Sequence, residues 1–467
     1  MNNKIEITPE ALQLIPPQKA SQYNILPLRV EDGILYVAAT EPFNKNYLND
    51  IAFYTGLKIS PTPLPLDVIQ EYLKTILSSD DTSSNGHRTA KESFVNDISV
   101  IEYVDQIICE AVKNAASDIH FEIYEEFFRI RMRIDGRLTE ISNISPQKSA
   151  QVVSRIKILA NMDIAERRRP QDGRIKYQYN NYFIDIRVSC LPTNYGEKIV
   201  LRILDRIQLR LDFETLGLDS DQRDLLQKYL KYPFGMVLVT GPTGSGKTTT
   251  LYAALQHIHS VEKNILTIED PIEYNLPSIN QSAVKPDIGY TFAGALRTFL
   301  RQDPDIIMVG EIRDRETAEI AIRAALTGHL VLSTLHTNDS VSAIIRLIDM
   351  GVEPFLVASS VKLIIAQRLV RTLCKCKKAV ASTGTTTIYE PVGCPECKFS
   401  GYKGRTALHE FFEIDEEMAE LISKNTPLQV LRKKAIEKGF QTLKDVGNNK
   451  INSGLTTKDE VLRETML

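Results

Sequence analysis

The feature that most constrains this chain is the run Gly235–Ile258, GMVLVTGPTGSGKTTTLYAALQHI. An apolar strand from Met236 to Thr240 leads into G-x-x-x-x-G-K-[ST], with Gly241, Gly246, Lys247 and Thr248 at the fixed positions. A helix with an apolar face follows. The loop residues Gly241, Pro242, Thr243, Gly244, Ser245, Gly246, Lys247, Thr248 and Thr249 are therefore expected to cradle phosphate. Glycines let backbone N–H groups close around phosphate oxygens, and the helix N-terminus adds its positive end. Lys247 is placed to reach the β/γ-phosphates and Thr248 to hold Mg²⁺. A loop of this kind requires a parallel α/β sheet around it.

Two acidic segments follow at the spacing of neighbouring strands. ILTIEDPIEY offers Glu269, Asp270 and Glu273, and DIIMVGEI ends an apolar strand at Gly310-Glu311. No aspartate stands where one would meet magnesium, and Asp305 lies at the wrong end of that strand, roughly 20 Å away at about 3.3 Å per residue. Glu311 is left to carry the position. Asp270, before a proline, is expected to be a cap or surface charge. Arg297 and Arg301 share a helical face in GALRTFLRQDP, a mildly unfavourable pair that a triphosphate would relieve. GHLVLSTLHTND places His329 and His336 at opposite ends of a strand, on opposite faces, so they do not share a metal. They are expected to make polar contacts to nucleotide or to the acids, or else to cap helices.

Upstream, RIKYQYNNYFIDIRVS reads as a hairpin turning at Asn180-Asn181. That register sets Ile175 opposite Ile186, Tyr177 opposite Ile184, and Lys176 opposite Asp185. It also sets Arg174 opposite Arg187, like charges that either splay into solvent or take an anion, which the phosphate loop would supply. Arg129, Arg131 and Arg133 alternate with apolar residues on another strand and read as a solvated basic face.

The 467 residues allow roughly three domains. With 56 basic and 59 acidic residues the net charge is −3, which argues against a nucleic-acid partner. No apolar run is long enough to span a membrane. The start shows no secretory leader, so a cytoplasmic protein is expected. Cys109 and Cys190 stand alone, whereas Cys374, Cys376, Cys394 and Cys397 cluster locally, which points to a metal rather than disulfides. Cys374 and Cys376 are one residue apart, closer than usual. The polar run 78 to 93 reads as a linker, ILYVAA (34–39) as a strand after the Asp32-Gly33 turn, and 68–77 as a helix.

Taken together, GPTGSGKT, TIEDPIE, DPDIIMVGEIRD and TGHLVLSTLHTND closely resemble the secretion ATPases of the type II secretion and type IV pilus assembly family. ASDIHFE, RMRIDG, ERRRPQDGRI and DIRVS match its second N-terminal domain, and QRLVRTLC and GYKGRTALHE match its C-terminal region. The resemblance implies an α/β, RecA-like P-loop ATPase core (211–370). A small N-terminal α+β docking unit (1–78), a flexible linker (79–93) and a PAS-like α+β domain (94–210) would precede it. A tetracysteine zinc region (371–405) and a C-terminal helical region (406–467) would follow, as a zinc-bearing, mostly helical lobe.

It further implies a homo-hexamer that uses ATP and Mg²⁺ to drive pilin-like subunits. The ring would be recruited to the cytoplasmic face of the inner membrane by a platform protein bound through residues 1–78. By motif match Arg174 and Arg187 reach the phosphates, while Glu273 and Glu311 are water-activating and metal-associated acids. The tetracysteine cluster marks assembly-type rather than retraction-type members. The short first unit, in which no nucleotide motif is evident, favours type II secretion and pseudopilus assembly. Pilus extension is the alternative, and a nucleic-acid motor is less favoured.

Overall fold

The computed structural model describes residues 99–204, 213, 216–383 and 386–466. Before these it describes 25–31, 33–41, 57–66 and 68–70, with positions 7, 8, 11, 14, 15, 20, 43, 48, 51, 52, 55 and 72. The linker expected at 79–93 and the end of the helix expected at 68–77 lie outside the described residues. The chain divides into two compact units, residues 1–106 and 107–467.

In the first unit, β1 (Leu26–Glu31) pairs antiparallel with β2 (Ile34–Ala39), and β3 (Lys58–Pro63) adds to β2 in parallel. Gly33 takes φ +75°, so the β1–β2 turn falls where Asp32-Gly33 predicts it. Leu35, Val37, Ile51 and Ile69 pack a small core.

The second unit begins with an antiparallel sheet of six strands in the order β6-β5-β4-β9-β8-β7. These are β4 (Asp118–Ile123), β5 (Phe128–Ile134), β6 (Arg137–Ile144), β7 (Gln171–Tyr179), β8 (Tyr182–Thr193) and β9 (Gly196–Leu204). Alternation sends Ile119, Phe121, Ile130, Met132, Ile186 and Leu201 into the core. The helix Ser149–Leu159 packs on the sheet, burying Val152, Val153 and Ile156. On the opposite face the arginines of β5 are in ion pairs rather than simply hydrated. Arg129 and Arg131 meet the buried Glu122 at 3.3 and 2.8 Å, and Arg133 meets Asp118 at 3.3 Å. Burial alone would raise the Glu122 pKa, but ion-pair hydrogen bonds from Arg131 and Lys198 outweigh it and hold the carboxyl well below its ordinary value, at about 2.

The second sheet has seven strands in the order β12-β11-β13-β14-β10-β15-β18. Its strands are β10 (Gly235–Thr240), β11 (Ile265–Glu269), β12 (Asn280–Ala283), β13 (Ile306–Val309), β14 (Leu330–Leu335), β15 (Val361–Leu373) and β18 (Tyr402–Glu413). All pair in parallel except β18, which runs antiparallel to β15. β10 and β14 are buried at every position, as expected for strands covered on both faces. Even-numbered Met236 and Leu238 face one core with Phe292, Leu296 and Ile322, while Val237 and Val239 face another with Leu226, Leu251 and Leu255.

The C-terminal part differs from the expected partition. The 370/371 boundary falls inside β15, and β18, placed by sequence mainly in the helical region, is β15's partner in the ATPase sheet. The cysteine region, with the two-stranded ribbon β16 (Lys378–Thr383) and β17 (Thr386–Glu390), is thus an excursion between two strands of one sheet. Helices Glu416–Ser423, Leu428–Glu437, Leu443–Asn452 and Lys458–Thr465 follow.

Candidate functional site

The phosphate loop leaves the end of β10 and enters the helix Lys247–Ile258 through Gly246, which takes φ +87°. Two glycines are fixed by close approach. A Cβ on Gly241 would come within 2.5 Å of the Gln367 carbonyl, and one on Gly246 within 2.8 Å of Gln367 Nε2. The buried Gln367 staples the loop from below, donating to the Ser245 carbonyl at 2.8 Å and accepting from Thr250 Oγ1 at 2.7 Å. Lys247 folds back on the loop, its Nζ donating to the carbonyls of Gly241 (2.8 Å) and Pro242 (3.0 Å). Burial pushes its pKa down to about 8, with Glu311 opposing and Arg368 assisting. Ser245 Oγ is buried and has no partner among the described residues, while Thr248 is exposed in the first helical turn. A short-handed hydroxyl, a lysine resting on carbonyls and a glycine-lined backbone fit a phosphate chain with its magnesium.

The parallel register brings the acids to the same edge. Glu311 stands just past β13 and pairs with Arg313, and His336 Nε2 just past β14 lies 3.4 Å from it. Burial, then Lys247, lowers the His336 pKa while Glu311 opposes, so the imidazole is held toward its neutral form. Thr337 N donates to Thr240 Oγ1 at 2.9 Å, tying the histidine loop to the end of β10. Asp270 is an exposed surface charge, as expected, and lies 3.5 Å from Arg313. Glu269, the other acid of that segment, is buried and accepts from Tyr252, from Thr267 Oγ1 (2.7 Å) and from Gln281 Nε2 (2.9 Å). Its oxygens are fully engaged in holding the strand end.

Glu273 faces the six-stranded sheet. β7 and β8 pair in the expected register, Arg174 opposite Arg187, with Asn180 turning at φ +51°. Arg187 donates to the Ile272 carbonyl at 2.9 Å and lies 3.7 Å from Glu273. Arg174 makes no hydrogen bond or ion pair among the described residues and is exposed. The two arginines and Lys176 line a cleft of about 740 Å³ opposite Pro271, Ile272, Glu273 and Asn275.

Three expected site residues are not brought to the loop in this chain. His329 sits at the start of β14, six residues before its end, and its Nδ1 lies 3.0 Å from the Ala324 carbonyl at the end of the helix Arg315–Leu326. It is a helix-capping histidine. Arg297 lies in the helix Phe292–Phe299, which runs away from the phosphate edge, and Arg301 lies just past its end. Arg301 is followed by Gln302 and Asp303, whose carbonyls accept from Asn264 just before β11, at the sheet's other edge. Arg297 pairs with Glu316, and Arg301 donates to the Arg297 carbonyl at 2.7 Å, so local groups relieve this basic pair. Conversely, Gln367, Arg368 and Arg313 join the site although sequence reasoning did not single them out. Their one signal was position: Arg313 stands two residues past Glu311, and Gln367-Arg368 open QRLVRTLC.

The four clustered cysteines do converge. Their sulfurs all lie within 4.8 Å of one another, with Cys374–Cys394 at 3.9 Å, Cys376–Cys397 at 3.8 Å and Cys394–Cys397 at 3.7 Å. Four thiolates about 2.3 Å from a tetrahedral ion stand about 3.8 Å apart, so the set fits zinc, and the short Cys374–Cys376 spacing causes no misfit. Desolvation raises the Cys397 pKa, but the N–H groups of Cys394 and Gly401 outweigh it and lower it to about 6, toward the thiolate a metal needs.

With this geometry in hand, comparison with known proteins is direct. A family model described as "Type II/IV secretion system protein" matches residues 94–463, and one for the MshEN domain matches 3–83. The type IV pilus assembly ATPase PilB of Myxococcus xanthus is 42% identical over 98% of this chain and 87% of its own length. The type II secretion system protein HxcR of Pseudomonas aeruginosa is 51% identical over 78% of this chain and 77% of its own. Among solved structures, the pilus retraction motor PilT with bound ADP superposes with TM-score 0.54 at 27% identity, covering 79% of this chain and 97% of that one. The Legionella pneumophila ATPase DotB shares the fold, at TM-score 0.60 and 22% identity, over 81% of this chain and 96% of its own. The chain belongs to the type II/IV secretion system protein family.

Proposed function

We propose that this protein hydrolyses ATP and uses the cycle to drive assembly of pilin-like subunits. The observation that carries the reading is the convergence, at one edge of the parallel sheet, of Lys247, Thr248, Glu311 and His336. Lys247 and the loop amides bind and orient the phosphates, and Thr248 and Glu311 are placed to hold magnesium. Magnesium supplies charge neutralisation between the outer phosphates. Glu273 is placed to orient the attacking water, and Arg187 with Arg174 to add positive charge once the cleft closes. The six-stranded unit is then the arginine-lending, PAS-like domain. Phosphate release from ATP by the purified chain, with and without DNA, tests the reading. Release without DNA supports it, and release only with DNA would favour a nucleic-acid motor.

We further propose a homo-hexamer with structural zinc at Cys374, Cys376, Cys394 and Cys397. The ring would be recruited to the cytoplasmic face of the inner membrane by a platform protein that docks on residues 1–78. None of the helices among the described residues is long and apolar enough to cross a membrane, which is in keeping with recruitment through a partner. Zinc near one equivalent per chain is expected in protein purified without added metal. The short first unit favours pseudopilus assembly in type II secretion. Coverage favours the second reading, pilus extension, because relatives named PilB align over 95–98% of the chain and type II proteins over 78–79%. Deleting the gene decides between them, by loss of surface pili or of an exported protein.

A further inference from the structure

Arg368 in β15 is 2% exposed and leads the fully buried side chains in size. Among the described residues no carboxylate lies within ion-pair distance of it. Its guanidinium is met only by backbone carbonyls: Nε by Glu464 (3.1 Å), Nη1 by Gln367 (3.0 Å) and Nη2 by Asn338 (2.8 Å). Burial pulls its pKa below the usual value, and Glu464, Glu410 and Asp339 oppose this only from farther away. A buried cation without a counter-ion is unfavourable, and neighbouring dipoles offset the cost only in part.

Two observations connect this cation to the phosphate loop. A Cβ built on Gly241 would lie 3.1 Å from Arg368 Nη1, so the guanidinium sits directly beneath the loop's first glycine. The Asn338 carbonyl belongs to the loop that begins at His336, and Glu464 to the last helix, Lys458–Thr465. One side chain thus ties three segments together under the site. Lys247 registers its charge, since the lysine's pKa, lowered first by burial, is lowered further by Arg368.

We propose that Arg368 is a positioning residue for the triphosphate reaction: it fixes the histidine loop beneath the phosphate loop, and its unpaired charge is balanced when a triphosphate is bound above it. The inference rests on the nucleotide reading given above. Its consequence is charge-specific. Removing the cation should weaken ATP binding more than ADP binding, whereas a merely misfolded loop would weaken both equally.

The test measures ATP and ADP affinity, with magnesium, for the full chain and for Lys247→Ala, Arg368→Gln and Arg368→Lys, together with turnover. Arg368→Gln is expected to lower ATP affinity on the order of tenfold and ADP affinity by about threefold, the effect of one charge at short range in a protein. Arg368→Lys keeps the charge and should bind ATP within about threefold of wild type. It should turn over about tenfold more slowly, because one ammonium cannot hold three carbonyls in that fan. An unchanged ATP-to-ADP preference in Arg368→Gln, beside wild-type binding that Lys247→Ala abolishes, would overturn this inference alone. Wild-type protein that binds no ATP would overturn the nucleotide reading with it. If Arg368→Gln does not fold, Arg368→Lys decides: an ATP affinity more than about threefold below wild type, or turnover at the wild-type rate, contradicts the proposal.

Discussion

The two edges of the seven-stranded sheet carry similar residue types and treat them differently. At the edge where the parallel strands begin, the polar groups find partners close by. His329 meets a helix carbonyl, Arg301 meets another, and Asn264 bridges the carbonyls of Gln302 and Asp303 at 2.7 and 2.8 Å. Where the strands end, among the described residues, Ser245 Oγ has no partner and Lys247 rests only on its own loop. Beside that edge, Arg174 makes no hydrogen bond or ion pair among the described residues, and Arg187 stands 3.7 Å from Glu273. Polar groups left short of partners are unfavourable in the free protein, and they collect where an anion would complete them.

The sharpest way to break this contrast is at Glu311. Glu311→Gln keeps the size and loses the charge, and turnover should fall at least about a hundredfold while the melting temperature holds. A turnover within threefold of wild type would remove Glu311 from the site. Next comes the arginine cleft. Arg187→Ala should slow turnover roughly ten- to a hundredfold with little change in ATP affinity, since the cleft acts mainly as the barrier is crossed. A pure loss of affinity would instead make it a binding residue.

A pH series probes Lys247. Its pKa of about 8 in the free protein lies below its ordinary 10.5. Above pH 8 the free protein loses a proton that triphosphate binding must restore. ATP affinity should therefore drop about tenfold between pH 7 and 9, most of it above 8. The same depression means the unfolded chain binds more protons between pH 8 and 10.5, so this lysine makes the free protein's stability rise with pH across that window. An affinity that is flat to pH 9 would contradict the buried, proton-losing lysine. The smallest effect is expected at the opposite edge, where Asn264→Ala should cost about 1 kcal/mol of stability and leave turnover unchanged. A loss of turnover there would mean the two edges are not separate in function.

The same contrast explains what could be read from the chain. The phosphate loop, Glu311 and the Arg174–Arg187 register were readable because each depends on local rules: glycine spacing, strand length and hairpin pairing. The four cysteines were readable as one cluster because they crowd into a short stretch of sequence, and their sulfurs do meet. What escaped depended on tertiary direction. Arg297 and Arg301 are spaced to share a helical face, but only the structure shows that the helix ends at Phe299 and leads away from the phosphates. Arg368 looks in sequence like one more basic residue of a strand, and its isolation from carboxylates exists only after β15, the histidine loop and the last helix are assembled. Glu269 and Glu273, four residues apart, differ in role because one is enclosed by Tyr252, Thr267 and Gln281 and the other opens on the cleft.

The most direct test of the central claim is steady-state ATP hydrolysis by the full-length chain beside Lys247→Ala, with thermal unfolding of both as the control. The phosphate-edge account predicts phosphate release by the wild type, release at background for the variant, and a variant at least as stable as its parent, because a buried unpaired ammonium is removed. A folded Lys247→Ala protein that hydrolyses ATP at near wild-type rate would contradict it.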